Sequence, residues 1–153
     1  MGVTFVMLKP DAVKRQLGYQ VMEYLLKEGI RIACFDVQVA TEDKIRRHYE
    51  EVIAKYGETL AQEMLDQFNG QIVVPIVLSG GDDIIAQVRR IVGATEPAKA
   101  GPGTIRGDLG LGDSYERSSA EKRVVRNLIH ASDSPESVRR EIAVWLPQVK
   151  LPE

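Results

Sequence analysis

Arg126-Asn127-Leu128-Ile129-His130-Ala131-Ser132-Asp133-Ser134-Pro135-Glu136-Ser137 runs from an apolar, strand-like segment through a short polar turn into the start of a helix. Ser134-Pro135 has the N-cap and first-turn chemistry of a helix start, and Val138, Ile142, Trp145 and Leu146 follow at the spacing of an inward face. The last strand is expected over Val125-Arg126-Asn127-Leu128-Ile129, which leaves His130 at the point where the chain turns away from the sheet. A histidine after two apolar residues is most simply a hydrogen-bonded structural residue. Its imidazole is also the side chain best suited to nucleophilic attack near neutral pH.

Working outward, Thr4-Phe5-Val6-Met7-Leu8 reads as a buried strand, and Val13, Leu17, Val21, Tyr24 and Leu25 recur at helical spacing until Gly29. Ile30, Ile32 and Cys34 alternate, then Phe35, Val37 and Val39 alternate in the opposite phase, which predicts a bulge in one long strand or a strand covered on both faces. Thr41 offers an N-cap to a helix whose stripe is Ile45, Tyr49, Val52, Ile53 and Tyr56, ending at Gly57. Leu60, Met64, Leu65 and Phe68 make a second short helix. Gln71 to Leu78 is the next strand, with Pro75 placing it at an edge or a bulge. A helix carrying Ile84, Ile85, Val88, Ile91 and Val92 runs from Gly80-Gly81 to Gly93. These periods give a mixed α/β chain with four strands and leave an antiparallel sandwich and a doubly wound sheet both open.

Two further segments carry chemistry. Gly93-Ala94-Thr95-Glu96-Pro97-Ala98-Lys99-Ala100-Gly101-Pro102-Gly103-Thr104-Ile105-Arg106-Gly107-Asp108 is too rich in Gly and Pro for a helix or central strand, yet holds Thr95, Thr104 and Arg106. Its glycines permit close backbone approach to a ligand, and the planar fork of Arg106 suits bidentate contact with phosphate oxygens. Leu8-Lys9-Pro10-Asp11 sets a lysine between a strand end and a proline able to open a helix. Each piece alone reads as an ordinary loop or a solvated charge.

Together, Lys9-Pro10-Asp11, the Gly93 to Asp108 loop and Asn127-Leu128-Ile129-His130-Ala131-Ser132-Asp133-Ser134 resemble the fingerprints of the nucleoside diphosphate kinase family, in the family's order, with a likeness running from about Val3 to about Trp145. The resemblance implies a ferredoxin-like βαββαβ fold: an antiparallel four-stranded sheet with additional helices, of the α+β kind, in a single domain over residues 1–153. It implies transfer of the γ-phosphate of a nucleoside triphosphate, typically ATP, to a nucleoside diphosphate through phospho-His130 in two half-reactions. Glu141 matches the glutamate that fixes the histidine tautomer. Lys9, Arg89 and Arg106 match the cationic phosphate ligands, Tyr49 and Thr95 the hydroxyl donors, Asn127 the residue touching sugar and phosphate, and Ser132, two residues past the nucleophile, a further nucleotide-binding residue. Arg89 is preferred over its neighbour Arg90 by alignment backwards from Gly93. The only cofactor expected is Mg2+, held through nucleotide phosphates and water with no protein ligand set, Asp133 being the nearest carboxylate.

The chain departs from the family pattern in three places. Altered length between Tyr49 and Ile72 leaves Tyr56 and Leu60 as candidates for stacking on the base. The segment between Asp108 and Asn127 is longer than usual, and Ser118-Ser119-Ala120-Glu121 has capping-box spacing. A short helix is expected there from about Ser119, turning Val124 or Val125 toward the base and basic side chains to the rim. The chain also stops soon after Trp145, where longer members carry a tail, which bears on subunit contacts in a homo-oligomer expected to be a hexamer or tetramer.

Composition bounds the alternatives. With 153 residues, 44% hydrophobic and 27% charged, the chain has the make-up of a globular domain able to bury its own core. A formal charge of −2 argues against a nucleic-acid footprint, and aromatics are too scattered for the surface strand of an RNA-binding module. No run approaches the roughly 18 apolar residues of a membrane span, and the N-terminus has no leader pattern, so a cytoplasmic protein is expected. Cys34 is expected to be a small buried hydrophobe, excluding disulfides and a cysteine metal site. There is no Gly-x-x-x-x-Gly-Lys-Ser/Thr loop. The alternative is a non-catalytic nucleotide-binding or regulatory protein on the same fold, which would have lost the histidine or its phosphate ligands; this chain keeps them.

Overall fold

The computed structural model describes residues 1–151. Strands Gly2–Leu8 (β1), Arg31–Phe35 (β2), Gln38–Val39 (β3), Ile72–Gly80 (β4) and Ile129–Ala131 (β5) form one sheet in the order β2-β4-β1-β5, with β3 added against β4 and every pairing antiparallel. This is the expected ferredoxin-like order with one two-residue strand appended. The helices are Pro10–Lys14 (α1), Gly18–Leu26 (α2), Glu42–His48 (α3), Glu50–Tyr56 (α4), Glu58–Phe68 (α5), Ile84–Val92 (α6), Ile105–Leu109 (α7), Tyr115–Ala120 (α8) and Pro135–Trp145 (α9).

The apolar run of β1 is explained by cover on both faces. Val6 and Leu8 pack with Val21, Leu25, Val88 and Ile105 beneath the crossover helices, while Phe5 and Met7 pack with Ile45, Phe68, Ile142 and Trp145 of α3, α5 and α9. The two cores thus lie on opposite faces of β1, and Lys9 leaves the C-terminal end of the strand as the residue before Pro10 at the first position of α1. Thr41 and Ser134 cap α3 and α9 as expected, each accepting from the backbone N–H three residues on.

Several expectations are corrected. The first helix breaks into α1 and α2 at Gln16, whose left-handed φ of 58° cannot continue a helix. The Thr41 helix breaks at Tyr49, after which α4 buries none of its residues. Pro75 lies in the central strand, not at an edge: its carbonyl accepts from Asp36 N–H, and its missing N–H falls where the chain lapses between β2 and β3. The anticipated bulge is present, as a register shift between Ile32 and Cys34. Cys34 is half-buried. The last strand begins at Ile129, because Leu128 takes a positive φ of 72° and ends any extended run from Val125.

Candidate active site

The backbone around Leu128 builds the floor of the site. Ile129 N–H donates to Asn127 O at 2.8 Å across Leu128, a strained three-residue turn. It is held from outside: Leu128 N–H donates to Asp11 Oδ2 at 3.0 Å, and Lys9 N–H donates to Leu128 O at 2.9 Å. Asn127 lies just before this turn and His130 just after it. Both line one cleft of about 740 Å3, a volume suited to a nucleotide-sized ligand.

His130 Nε2 is hydrogen-bonded to Glu141 Oε2, reached from α9 across the β5 turn, and no described residue hydrogen-bonds to Nδ1. Burial, then the charges of Lys9 and Arg106, push the His130 imidazolium down to about 3, so the ring is neutral at physiological pH. Glu141 Oε2 therefore accepts the Nε2 proton, and Nδ1 carries the lone pair. Ser132 Oγ donates to Glu141 Oε1 at 2.9 Å. Burial raises the Glu141 carboxyl above its ordinary range, while His48 and the Ser132 hydrogen bond oppose that rise.

Cations frame this histidine. Lys9 Nζ donates to Asn127 Oδ1 at 2.6 Å and sits 5.4 Å from the centre of the Phe68 ring. Its burial lowers the ammonium to about 8, which leaves it mainly charged at neutral pH. Arg106 donates from Nε to Asn127 O at 3.1 Å, from Nη1 to Gly93 O at 3.2 Å and from Nη2 to Ile129 O at 2.5 Å, tying the loop, the turn and β5 together. Desolvation lowers it to about 10. Arg89 donates to Ala131 O at 3.2 Å and lines the cleft, whereas Arg90 does not. Asn127 Nδ2 donates to Thr95 O at 3.0 Å, and Thr95 and Tyr49 also face the cleft, the Tyr49 phenol raised by burial.

Ser132 was expected on the nucleotide. Its hydroxyl is instead turned away from the cleft wall, 1% exposed and committed to Glu141. The glycine-rich loop also differs from expectation, since it folds into a 3-10 turn over Pro97–Lys99 and the short helix α7, capped by Thr104. At least one of its glycines serves packing: a Cβ on Gly107 would stand 2.0 Å from Gly101 O. In the longer segment a helix forms, but four residues early. Ser114, not Ser118, caps α8 by accepting from Arg117 N–H. Val124 and Val125 both line the cleft. The basic residues do not form a free rim: Arg123 grips Asp113 with two nitrogens at 2.7 and 2.8 Å and also pairs with Glu121. Lys122 and Arg126 face a separate depression.

One residue was missed. His48, at the end of α3, stacks edge-on to His130 with ring centres 4.3 Å apart and lines the same cleft. Its only sequence signal is that it is the chain's other histidine and directly precedes Tyr49. His48, His130 and Glu141 bring ligand-type atoms within 4.8 Å of one another. This nitrogen-rich set is not one a hard cation prefers.

The nucleoside diphosphate kinase family model matches residues 2–151. The nucleoside diphosphate kinase of Methanothermobacter thermautotrophicus is 38% identical over 151 residues, covering 99% of this chain and 91% of that protein. The enzyme of the same name from Mycolicibacterium smegmatis is 39% identical over 147 residues, covering 94% of each. A solved structure from Borrelia burgdorferi, described as a transition state mimic of nucleoside-diphosphate kinase with bound vanadate and ADP, superposes with a TM-score of 0.88 at 29% identity, covering 95% of this chain and 86% of that one. An NDP kinase from Pyrobaculum aerophilum superposes at 0.83 with 32% identity, covering 94% of each.

Proposed function

Since the chain belongs to the nucleoside diphosphate kinase family and is an enzyme of that class, we propose that its chemistry runs through His130 with the residues of the cleft in the following roles. The Nδ1 lone pair attacks the γ-phosphorus of a nucleoside triphosphate. The bond from phosphorus to the bridging oxygen breaks, its electron pair leaves with the diphosphate, and the Nε2 proton stays shared with Glu141. A second diphosphate takes the phosphoryl group from Nδ1 by the reverse displacement. Lys9, Arg89 and Arg106 neutralise the phosphate oxygens, which is the main demand of phosphoryl transfer. Tyr49, Thr95 and Asn127 supply donors to phosphate and sugar. Val124, Val125, Tyr56 and Leu60 all line the cleft and would supply the walls of the base slot. The observation that carries this reading is a neutral histidine with one nitrogen tied to a buried carboxylate and the other untied in a cationic cleft.

Mg2+ belongs to this reading as a partner of the nucleotide. Asp133 is the carboxylate of the cleft wall closest in sequence to His130, and one of its oxygens is held by Ser137 Oγ at 2.6 Å, so it fits an outer role through water. The ion would supply charge neutralisation on the β- and γ-phosphates. We read the chain as a single domain in the cytoplasm, a setting that suits its free cysteine and nucleotide substrates. No described helix is long and apolar enough to cross a membrane. A homo-oligomer, hexamer or tetramer, is supported by β2. It is an edge strand, and Ile32, Phe35, Val37, Val39 and Ile72 on and beside it are all exposed.

Incubation with γ-labelled ATP, then addition of unlabelled GDP, tests the reading. Label should appear on His130 as an acid-labile, base-stable adduct, leave as GTP, and be absent from His130→Ala. Comparable turnover by His130→Ala would end it.

A further inference from the structure

Among the described residues, His48 is the one buried titratable side chain of the cleft to which the mechanism assigns no task. Its surroundings fix its tautomer. Trp145 Nε1–H donates to His48 Nδ1 at 2.9 Å, and an indole nitrogen can only donate, so Nδ1 is the acceptor and the neutral ring carries its proton on Nε2. That Nε2 has no hydrogen-bond partner among the described residues, although the ring is 1% exposed. It stands 3.8 Å from Glu141 Oε2, the same oxygen that accepts from His130 Nε2. A buried donor left unsatisfied is costly, and this one is within a small movement of a carboxylate oxygen.

We infer that His48 is a positioning residue for phosphoryl transfer: held by Trp145, it directs its Nε2–H at Glu141 and keeps that carboxylate ionised and aligned on His130. This rests on the reading of His130 as the nucleophile. As Nδ1 bonds to phosphorus, the His130 ring loses electron density and its Nε2–H draws closer to Glu141. A carboxylate that took up a proton instead of holding that hydrogen bond would let the ring rotate or exchange tautomers. Ser132 restrains one oxygen of Glu141, and His48 restrains the other.

The groups facing Glu141 are His48 from α3, Tyr49 just after it, His130 from β5, Asp133 beyond it, and Arg140 on its own helix. Those facing His48 are His130, Glu141, Arg140 and Lys9, with the Tyr49 ring edge-on at 4.5 Å. Burial and these cations keep His48 far below the ordinary imidazole range, so it acts as a fixed neutral dipole throughout the physiological range and not as a proton carrier. Its edge-on contact with the His130 ring further limits that ring's rotation.

The test compares parent, His48→Phe and His48→Gln in single-turnover labelling by γ-labelled ATP across pH 5 to 9. His48→Phe keeps an aromatic ring and removes both nitrogens; His48→Gln restores an N–H at about the depth of Nε2. For His48→Phe the maximal labelling rate should fall by roughly tenfold or more at an ATP KM close to the parent's, the scale seen when a group supporting an active-site ligand is lost. Its acid limb should move up by about one pH unit, because Glu141 protonates more easily. His48→Gln should recover part of both. Parent rate and pH profile in His48→Phe would overturn the inference. The 15N spectrum of the parent gives an independent arm: His48 must show a protonated Nε2 and an unprotonated Nδ1 from pH 6 to 8, and the opposite tautomer or a titrating ring would overturn it without any variant. If the parent itself fails to label His130, the reading of the site falls and this inference with it; normal parent labelling with an indifferent His48→Phe removes the inference alone.

Discussion

The floor and the outer lip of the cleft are built on opposite terms. On the floor, Arg106 and Glu141 are almost wholly buried, and Arg106 uses all three guanidinium nitrogens on backbone carbonyls from three segments. The lip is built on α4, which buries no residue and carries Tyr56 at 61% exposure, with Leu60, Val124 and Val125 beside it on the cleft lining. Floor side chains are fixed by many partners before any ligand arrives, so their charges need no reorganisation during transfer. Lip side chains offer area without fixed geometry. On the proposed function, the floor meets what all nucleoside triphosphates share and the lip meets what distinguishes them.

The most damaging way to break this contrast is Arg106→Ala. It removes a phosphate charge and leaves the carbonyls of Gly93, Asn127 and Ile129 without their donor. We expect kcat/KM to fall by about 10²- to 10³-fold, with a lower melting temperature from the orphaned carbonyls. Steady-state kinetics and thermal melts report both. A rise in KM alone, with kcat and melting unchanged, would mean that the floor is not a preformed frame. Glu141→Gln should be narrower: kcat falls on the order of 10- to 100-fold while ATP KM hardly moves, since Glu141 touches the nucleophile and not the nucleotide. Equal behaviour of the two variants would erase the distinction between positioning and phosphate binding.

The pH dependence sharpens it further. An imidazole at the ordinary value near 6.5 would lose about fourfold of its neutral form between pH 7.5 and 6.0; His130, held near 3, should label at nearly the same rate at both. The linkage has a definite sign. The folded value lies below the unfolded one, so between about pH 3 and 6.5 the unfolded chain binds the extra proton, and this histidine's contribution makes stability rise with pH across that window. Lys9 acts at the other end. Its ammonium, lowered to about 8, discharges as pH climbs through that value, so ATP KM should increase between pH 8 and 9. Lys9→Arg should flatten the increase, and a KM independent of pH in the parent would remove Lys9 from the phosphate site.

The floor was far more legible in sequence than the lip. Lys9-Pro10, Thr95, Arg106 and Asn127 through His130 stand in short motifs whose local geometry is set by caps, a proline and one tight turn, and the fold brings them to one cleft. Ser132 and His48 were misplaced or missed because their roles are set across the chain. Ser132 meets Glu141 nine positions on, and His48 meets Trp145 97 positions away. No local period carries such contacts. The break at Tyr49 was hidden for a related reason: the apolar stripe Ile45, Tyr49, Val52, Ile53 is continuous in sequence, but only Ile45 is fully buried, Tyr49 and Ile53 pack part-buried against the core, and Val52 is exposed. In the longer segment the serine spacing at Ser118 misled, because Ser118 is buried and its hydroxyl donates to Tyr115 O, while the cap at Ser114 lacks the paired glutamate that a capping box displays.

The smallest expected effect belongs to the lip. Val52, Tyr56, Leu60, Val124 and Val125 give this part of the cleft lining a mainly apolar and aromatic surface, which the proposed function assigns to the base. Stacking on such surface tolerates any base, because every base has a π-face, whereas discrimination needs buried donors or acceptors left unpaired by the wrong partner. Exchanging ADP, GDP, CDP and UDP as acceptors should therefore change kcat/KM only modestly, with kcat at saturation nearly constant. Tyr56→Ala should raise the acceptor KM by about five- to tenfold, the equivalent of losing roughly 1 to 1.4 kcal/mol of stacking, and leave labelling of His130 at saturating ATP unchanged. Leu60→Ala, measured beside it, separates the two candidates for the base: the one with the larger KM effect is the stacking partner. A strict preference for one base, or a Tyr56→Ala defect in the labelling rate itself, would show that the lip takes part in the chemistry and that the two sides of the cleft are one device.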